Sequence, residues 1–158
     1  MPEKETIEHA QQDAREGKSP STQAGEFVRE EMHHVREGKH GAASPQQAIA
    51  IGLSKARRAG VKLPTPRSGK ASAKTIKQAR RDERKGQSHS AREPSAKRSR
   101  ATTRALKREG HSAASHDSLS RQARRVAKNR GPSARHNSAV KASRTRSRTS
   151  SSGTRKTR

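Results

Sequence analysis

The chain has 158 residues, with 38 Lys and Arg against 14 Asp and Glu, a net charge of +24, one Phe and no Cys, Trp or Tyr. Apolar residues make up 25% of it, against about 45–50% in an ordinary globular domain, too few to offset the entropy of ordering the whole chain. A disulfide framework and a thiolate zinc site are excluded for want of cysteine. So is a membrane span or signal-peptide core, since the longest apolar run, Ala48 to Leu53, is too short for either. The expectation is a soluble, cytoplasmic, all-α polycation whose short helices have little core and whose basic C-terminal arm is largely disordered.

Six helices are predicted in chain order, at roughly 4–16, 22–37, 45–59, 71–85, 95–109 and 117–130, followed by coil. Glycines at 17, 38, 60, 86, 110 and 131 punctuate them, each placed to end a helix in a left-handed conformation. Ser44-Pro45-Gln46-Gln47 offers an N-cap serine, a proline at the first helical position and a capping-box glutamine. Ala14-Arg15-Glu16-Gly17-Lys18 recurs as Val35-Arg36-Glu37-Gly38-Lys39, each followed by Ser-Pro. This reads as two helix ends and two helix starts in one local code.

Charge is distributed unevenly. Residues 1–66 hold 10 Lys and Arg against 9 Asp and Glu, and residues 67–158 hold 28 against 5. The break falls at Leu63-Pro64-Thr65-Pro66, whose prolines forbid helix. Three regions follow: a near-neutral helical module over 1–66, a basic helical arm over 67–131 and a disordered Arg/Ser/Thr-rich tail over 132–158. In the module, the second helix puts Ala24, Phe27, Val28, Met32 and Val35 on one face. The third puts Ile49, Leu53, Ala56 and Gly60 on another. With Ile7, Ala10, Ala14, Val61 and Leu63 these are expected to form a small helical hairpin or a three-helix cluster, marginal as an isolated unit.

The stretch Phe27 to Leu63 contains Glu30-Glu31-Met32, Glu37-Gly38-Lys39 and a run from Gln47-Ala48-Ile49-Ala50-Ile51-Gly52-Leu53-Ser54 to Gly60. It resembles a bacterial domain family of unknown function. Members of that family are small basic proteins with a Gly-Lys segment before a Gln-Ala-Ile-Ala-Ile-x-Leu-Ser-x-Ala-Arg core. The resemblance covers about a quarter of the chain. It implies a bacterial origin and a helical module, and it brings no established activity.

The arm carries the strongest functional signal. At about 3.6 residues per turn, Lys74, Lys77, Arg81, Arg84 and Lys85 share one face of the fourth helix. Lys97, Arg100, Arg104, Lys107 and Arg108 do the same on the fifth, at the same offsets. Arg121, Arg124 and Lys128 keep the first three offsets on the sixth, with Arg125 beside them. Starts 23 and 24 residues apart make a degenerate basic-helix repeat. Like charges three or four residues apart repel until a polyanion neutralises them, so these helices should consolidate on binding. The tail adds Arg144, Arg146 and Arg148.

Readers of single strands and RNA loops stack bases on aromatic side chains, of which the arm has none. Backbone contact with duplex DNA fits better, and counterion release would supply most of the affinity. An anionic membrane is a poor partner, because no bulky apolar face exists to insert. The module invites a helix-turn-helix reading with Gln46 and Gln47 at a recognition helix, but the Gly38–Ser44 connection is longer than that motif's turn.

Enzymatic and cofactor signals fail. Gly17-Lys18-Ser19 lacks the earlier glycine of a phosphate loop, Gln12 standing in its place. Ser115-His116-Asp117 is contiguous, so its side chains diverge and cannot form a relay. His33 and His34 diverge by about 100° on a helix, and no second histidine lies four residues along it, so no metal site is expected. The chain is expected to be a non-enzymatic, cofactor-free protein that binds DNA largely independently of sequence, as an accessory nucleoid-associated protein. The module over 22–63 is left for self-association or a protein contact. The alternatives are an RNA- or ribosome-associated basic protein and an interaction adaptor acting through that module.

Overall fold

Ser19-Pro20 and Ser44-Pro45 each place a hydroxyl acceptor ahead of a proline that needs no N–H partner, and each opens a helix. The computed structural model describes residues 2–69, 71–88 and 95–153. Its helices are α1 (Lys4–Arg15), α2 (Pro20–Arg36), α3 (Pro45–Arg58), α4 (Ala73–Gln87), α5 (Ala96–Lys107), α6 (His116–Asn129) and α7 (Gly131–Gly153), with a 3₁₀ turn at Ser112–Ala114. No strand occurs among the described residues, and the fold is all-helical. Two compact units are present, Met1–Leu119 and Ser120–Arg158.

The recurrent Arg-Glu-Gly-Lys code has a physical meaning. In α1 the Gly17 N–H bonds the Ala14 carbonyl and the Lys18 N–H bonds that of Asp13. In α2 Gly38 and Lys39 do the same with Val35 and His34. Both glycines have positive φ, 70° and 74°, so both ends are Schellman motifs. Gly86 and Gly110 depart from the expectation. Gly86 lies inside α4, where a Cβ would strike the Arg57 carbonyl, and the Gly110 carbonyl accepts from the Ala42 N–H at 3.0 Å. Gly86 thus serves close approach between segments, whereas Gly110 has open space where a Cβ would project and contributes its carbonyl.

The first unit is built on α2, with α1 and α3 packed against it. Phe27 and Val35 are fully buried, and Ala24 and Met32 nearly so, which matches the expected face. On α3 the buried line is Ala48, Gly52 and Ala56, one turn apart, while Ile49 and Leu53 sit at its margin. The expected stripe is therefore rotated toward small residues. A Cβ on Gly52 would lie 2.8 Å from the Val28 Cα and 3.0 Å from the Phe27 carbonyl, so α3 meets the α2 backbone directly. One apolar cluster joins Phe27 to Ala10, Ala56 and Leu63. The other joins Met32 and Val35 to Ala42, Ala48, Ala113 and Ala114, with Leu119 against it.

This unit extends well past the charge break at residue 66. Arg57 is buried and donates to the Pro64 carbonyl at 3.3 Å, which turns the Pro64–Pro66 segment back along α3. That turn brings α4 onto α3. Ala79 and Asp82 are its buried residues. By contrast α5 has no buried residue and packs on no other helix. Its C-terminal end is held by the Gly41 N–H on the Leu106 carbonyl at 2.9 Å and the Ala42 bond to Gly110.

In the second unit, α7 occupies most of the region expected as coil. No proline or glycine interrupts it between Ser133 and Ser152. Ser138, Thr145 and Ser147 bond back to the carbonyls four residues earlier at 2.9, 3.0 and 3.1 Å. Within this unit no described element packs on α7. Residues 154–158 lie outside the described residues.

Candidate nucleic-acid interface

On α4 the docking contacts select which cations stay in water. Asp82 is 1% exposed and accepts from the Ser54 hydroxyl at 2.6 Å, the Arg58 Nε at 2.8 Å and the Gln78 amide at 3.0 Å. Burial raises the Asp82 pKa, but these three donors outweigh it and hold the carboxyl below its usual range. With Ala79, Asp82 and Gly86 turned toward α3, Lys74, Lys77, Arg81, Arg84 and Lys85 fall on the outer side, all exposed. Lys77 and Arg84, with Arg80, line an open cleft of about 960 Å³ whose far wall is Thr65 and Ser68.

On α5 the predicted set is also brought together. Lys97, Arg100, Arg104, Lys107 and Arg108 are exposed, and the last four border one shallow groove of about 440 Å³ with Ser99 and Thr103. Leu106, half-buried, lies on the opposite side. Among the described residues none of the ten α4 and α5 cations is paired with a carboxylate.

In the second unit Arg121, Arg124, Arg125 and Lys128 are exposed on α6, where Arg125 bonds the Gln122 side chain at 2.9 Å. Arg144 and Arg146 are exposed on α7. Arg148 lies within α7, but its side chain lies outside the described residues. Gln47, a candidate base reader, is occupied otherwise: its backbone N–H meets Ser44 Oγ at 3.2 Å and its side chain accepts from the Ala43 N–H at 2.7 Å.

Several cations in and beside α1 to α3 behave differently, because acids are within reach. Lys18 meets Asp13 and Glu16, Arg29 meets Glu26, and Lys39 meets Glu3 and Glu37. The densest group surrounds Lys55, whose Nζ lies 2.8 Å from Glu30 Oε1 and 2.7 Å from Glu31 Oε2. Burial lowers the Lys55 pKa, but the two glutamates outweigh it and raise it above the ordinary lysine range. Burial likewise raises that of Glu30, and Lys55, Thr6 and the Glu3 N–H bring it below the usual carboxylate range. Glu31 is fully buried, and His40 Nε2 approaches its Oε1 at 3.0 Å. Neither Glu31 oxygen receives a well-aligned hydrogen bond. His34 closes the group, with Nε2 2.8 Å from Glu3 Oε1 and Nδ1 3.9 Å from Glu30 Oε1.

Sequence spacing passes over this group, since it looks for histidines on one helix and His40 returns from the loop after Gly38. One signal was present: Phe27, Glu31 and Val35 recur every fourth residue, which puts a carboxylate on the buried stripe.

Residues 15–67 match a family of unknown function, DUF6496. The matched segment takes in α2, α3 and the loop between them, with Glu31, His34, His40 and Lys55 inside it; α4 to α7 lie beyond it. No curated protein and no solved structure matches the chain. No described helix is long and apolar enough to cross a membrane.

Proposed function

We propose that this chain is a non-enzymatic bacterial protein that binds duplex DNA through phosphates, largely independently of sequence, as an accessory nucleoid-associated protein. The observation that carries the reading is α5. It buries no residue, lies against no other helix and carries Lys97, Arg100, Arg104, Lys107 and Arg108 on one face with no carboxylate against them among the described residues. Twelve residues at about 1.5 Å each make a basic stripe of about 18 Å. Cations at that spacing repel one another, and a row of phosphates relieves the repulsion while releasing its own counterions. The outer face of α4 supports the same reading, because Asp82 draws the helix onto α3 and leaves five cations facing water. The arm has no aromatic residue, which disfavours single-strand stacking as the main mode.

The experiment is duplex binding by the full chain across a salt series, paired with crosslinking in cells and separate recovery of DNA and RNA. Log affinity should fall steeply and linearly with log salt, with similar affinity for unrelated duplexes. A flat salt dependence, or crosslinks dominated by ribosomal RNA, would refute the reading.

A further inference from the structure

We propose that Glu31, His34 and His40 form a binding site for one divalent transition-metal ion of the zinc type. One ligand atom from each lies within 4.8 Å of the others. Their side chains are shielded, at 1%, 12% and 15% exposure. Glu31 and His34 are three apart on α2 and share a face. His40 reaches them because Gly38 turns the chain back with a φ of 74°.

Hydrogen-bond chemistry assigns the ring nitrogens. His40 Nδ1 lies 3.1 Å from the Gly41 carbonyl oxygen, which only accepts, so Nδ1 carries the proton. Nε2 faces Glu31 Oε1 across 3.0 Å, and either a proton or a metal ion satisfies the two atoms; with a neutral ring the lone pair is free for the ion. Zinc about 2.1 Å from each of two ligands holds them about 3.4 Å apart at the tetrahedral angle. His34 Nε2 donates to Glu3 Oε1 at 2.8 Å, which leaves its Nδ1 for an ion. Each ring thus has the outer acceptor, one a backbone carbonyl and one a carboxylate, that orients a metal-binding imidazole. Glu31 would bind through Oε1, since Lys55 holds Oε2, and the charge of Lys55 is offset by Glu30. Two imidazoles and one carboxylate suit zinc; water would complete the shell. The ion would tie α2 to the loop whose Gly41 and Ala42 hold the end of α5. The site stands independently of the DNA reading.

The test uses the metal-free full chain without nucleic acid. Histidine-selective NMR during addition of Zn²⁺ should shift the His34 and His40 ring signals by one equivalent, with the other six histidines responding only to excess. Competition with a chromophoric chelator should show His34→Gln and His40→Gln at least tenfold weaker, and His33→Gln, one residue outside the group, unchanged. Circular dichroism identifies any variant that fails to fold; for such a variant the NMR of the unaltered chain decides. If His34 and His40 respond no earlier than the other histidines, or His33→Gln weakens binding equally, the group is a buried ion-pair network and the proposal is wrong.

Discussion

Arg58 Nε lies 2.8 Å from the carboxylate of Asp82, and through this pair α4 is joined to α3. Asp82 is nearly inaccessible whereas the Arg58 side chain is 48% exposed, so removing the acid lets the arginine return to water but strands the half-buried Ser54. Asp82→Ala should cost about 1.5–3 kcal/mol, the range for hydrogen bonds to a charged group, read from urea unfolding of the full chain. Asp82→Asn should recover part of the loss by keeping an acceptor. A loss below a few tenths of a kcal/mol would mean that α4 is held by other contacts.

Acid should unfold the first unit. Hydrogen bonds from His34 and Lys39 bring the Glu3 carboxyl down to about 2, and those of Glu30 and Asp82 also lie below their usual range. Depressed folded-state values give stability that is complete above the unfolded carboxylate pKa, about 4, and is lost as pH falls through the folded values. The melting temperature should therefore drop between about pH 4 and pH 2. The drop should be shallower in Asp82→Asn and Glu30→Gln, relative to each variant's own plateau. An identical acid slope in both would remove these carboxylates as its cause.

Two helical glycines should respond oppositely to alanine. Gly25, exposed on α2, has open space where a Cβ would project, so Gly25→Ala should stabilise by about 0.5–1 kcal/mol. Gly86 has the Arg57 carbonyl there, so Gly86→Ala should destabilise despite its better helix propensity. Thermal melts of the two variants side by side check the sign of each.

Neutralising the α5 face should lower both affinity and its salt dependence. If Arg100, Arg104, Lys107 and Arg108 each meet one phosphate, replacing all four by Ala should reduce the log–log slope by about 3 to 4. None is buried, so circular dichroism of the free chain should be unchanged. An unaltered slope would move the contact surface away from α5.

Binding should also consolidate α7. Serine, threonine, asparagine and histidine are indifferent helix formers, a helix without packing partners is marginal in water, and within its unit no described element packs on α7. Amide exchange over 131–153 should be fast in the free chain and slow when duplex is added. Equal protection in both states would rule out folding on the polyanion, while leaving simple charge binding intact.

Much of the helical layout was legible because its signals are local. Ser44-Pro45-Gln46-Gln47 caps α3 wherever α3 lies, and the Gly17 and Gly38 ends need only the preceding turn. The α3 stripe was harder to read. Periodicity ranks Ile49 and Leu53 by hydrophobicity, whereas the packing is set by how closely two backbones approach, which favours Ala48, Gly52 and Ala56. The Glu31, His34 and His40 group was illegible for a related reason: one member comes from a loop whose path depends on Gly38 and on the bonds from Gly41 and Ala42 to the end of α5.

The net charge of +24 and its concentration beyond residue 66 follow from residue counts alone, and the helical register of the arm cations follows from 3.6 residues per turn. Neither depends on where distant segments meet. Local pairs such as Arg29 with Glu26 follow from spacing as well, but the long-range pairs depend on which opposite charge from elsewhere in the chain comes within a few ångströms. Tertiary approach alone gives Arg58 to Asp82, Lys55 to Glu30 and Glu31, and Lys39 to Glu3, while Lys97, Arg100, Arg104, Lys107 and Arg108 remain facing water.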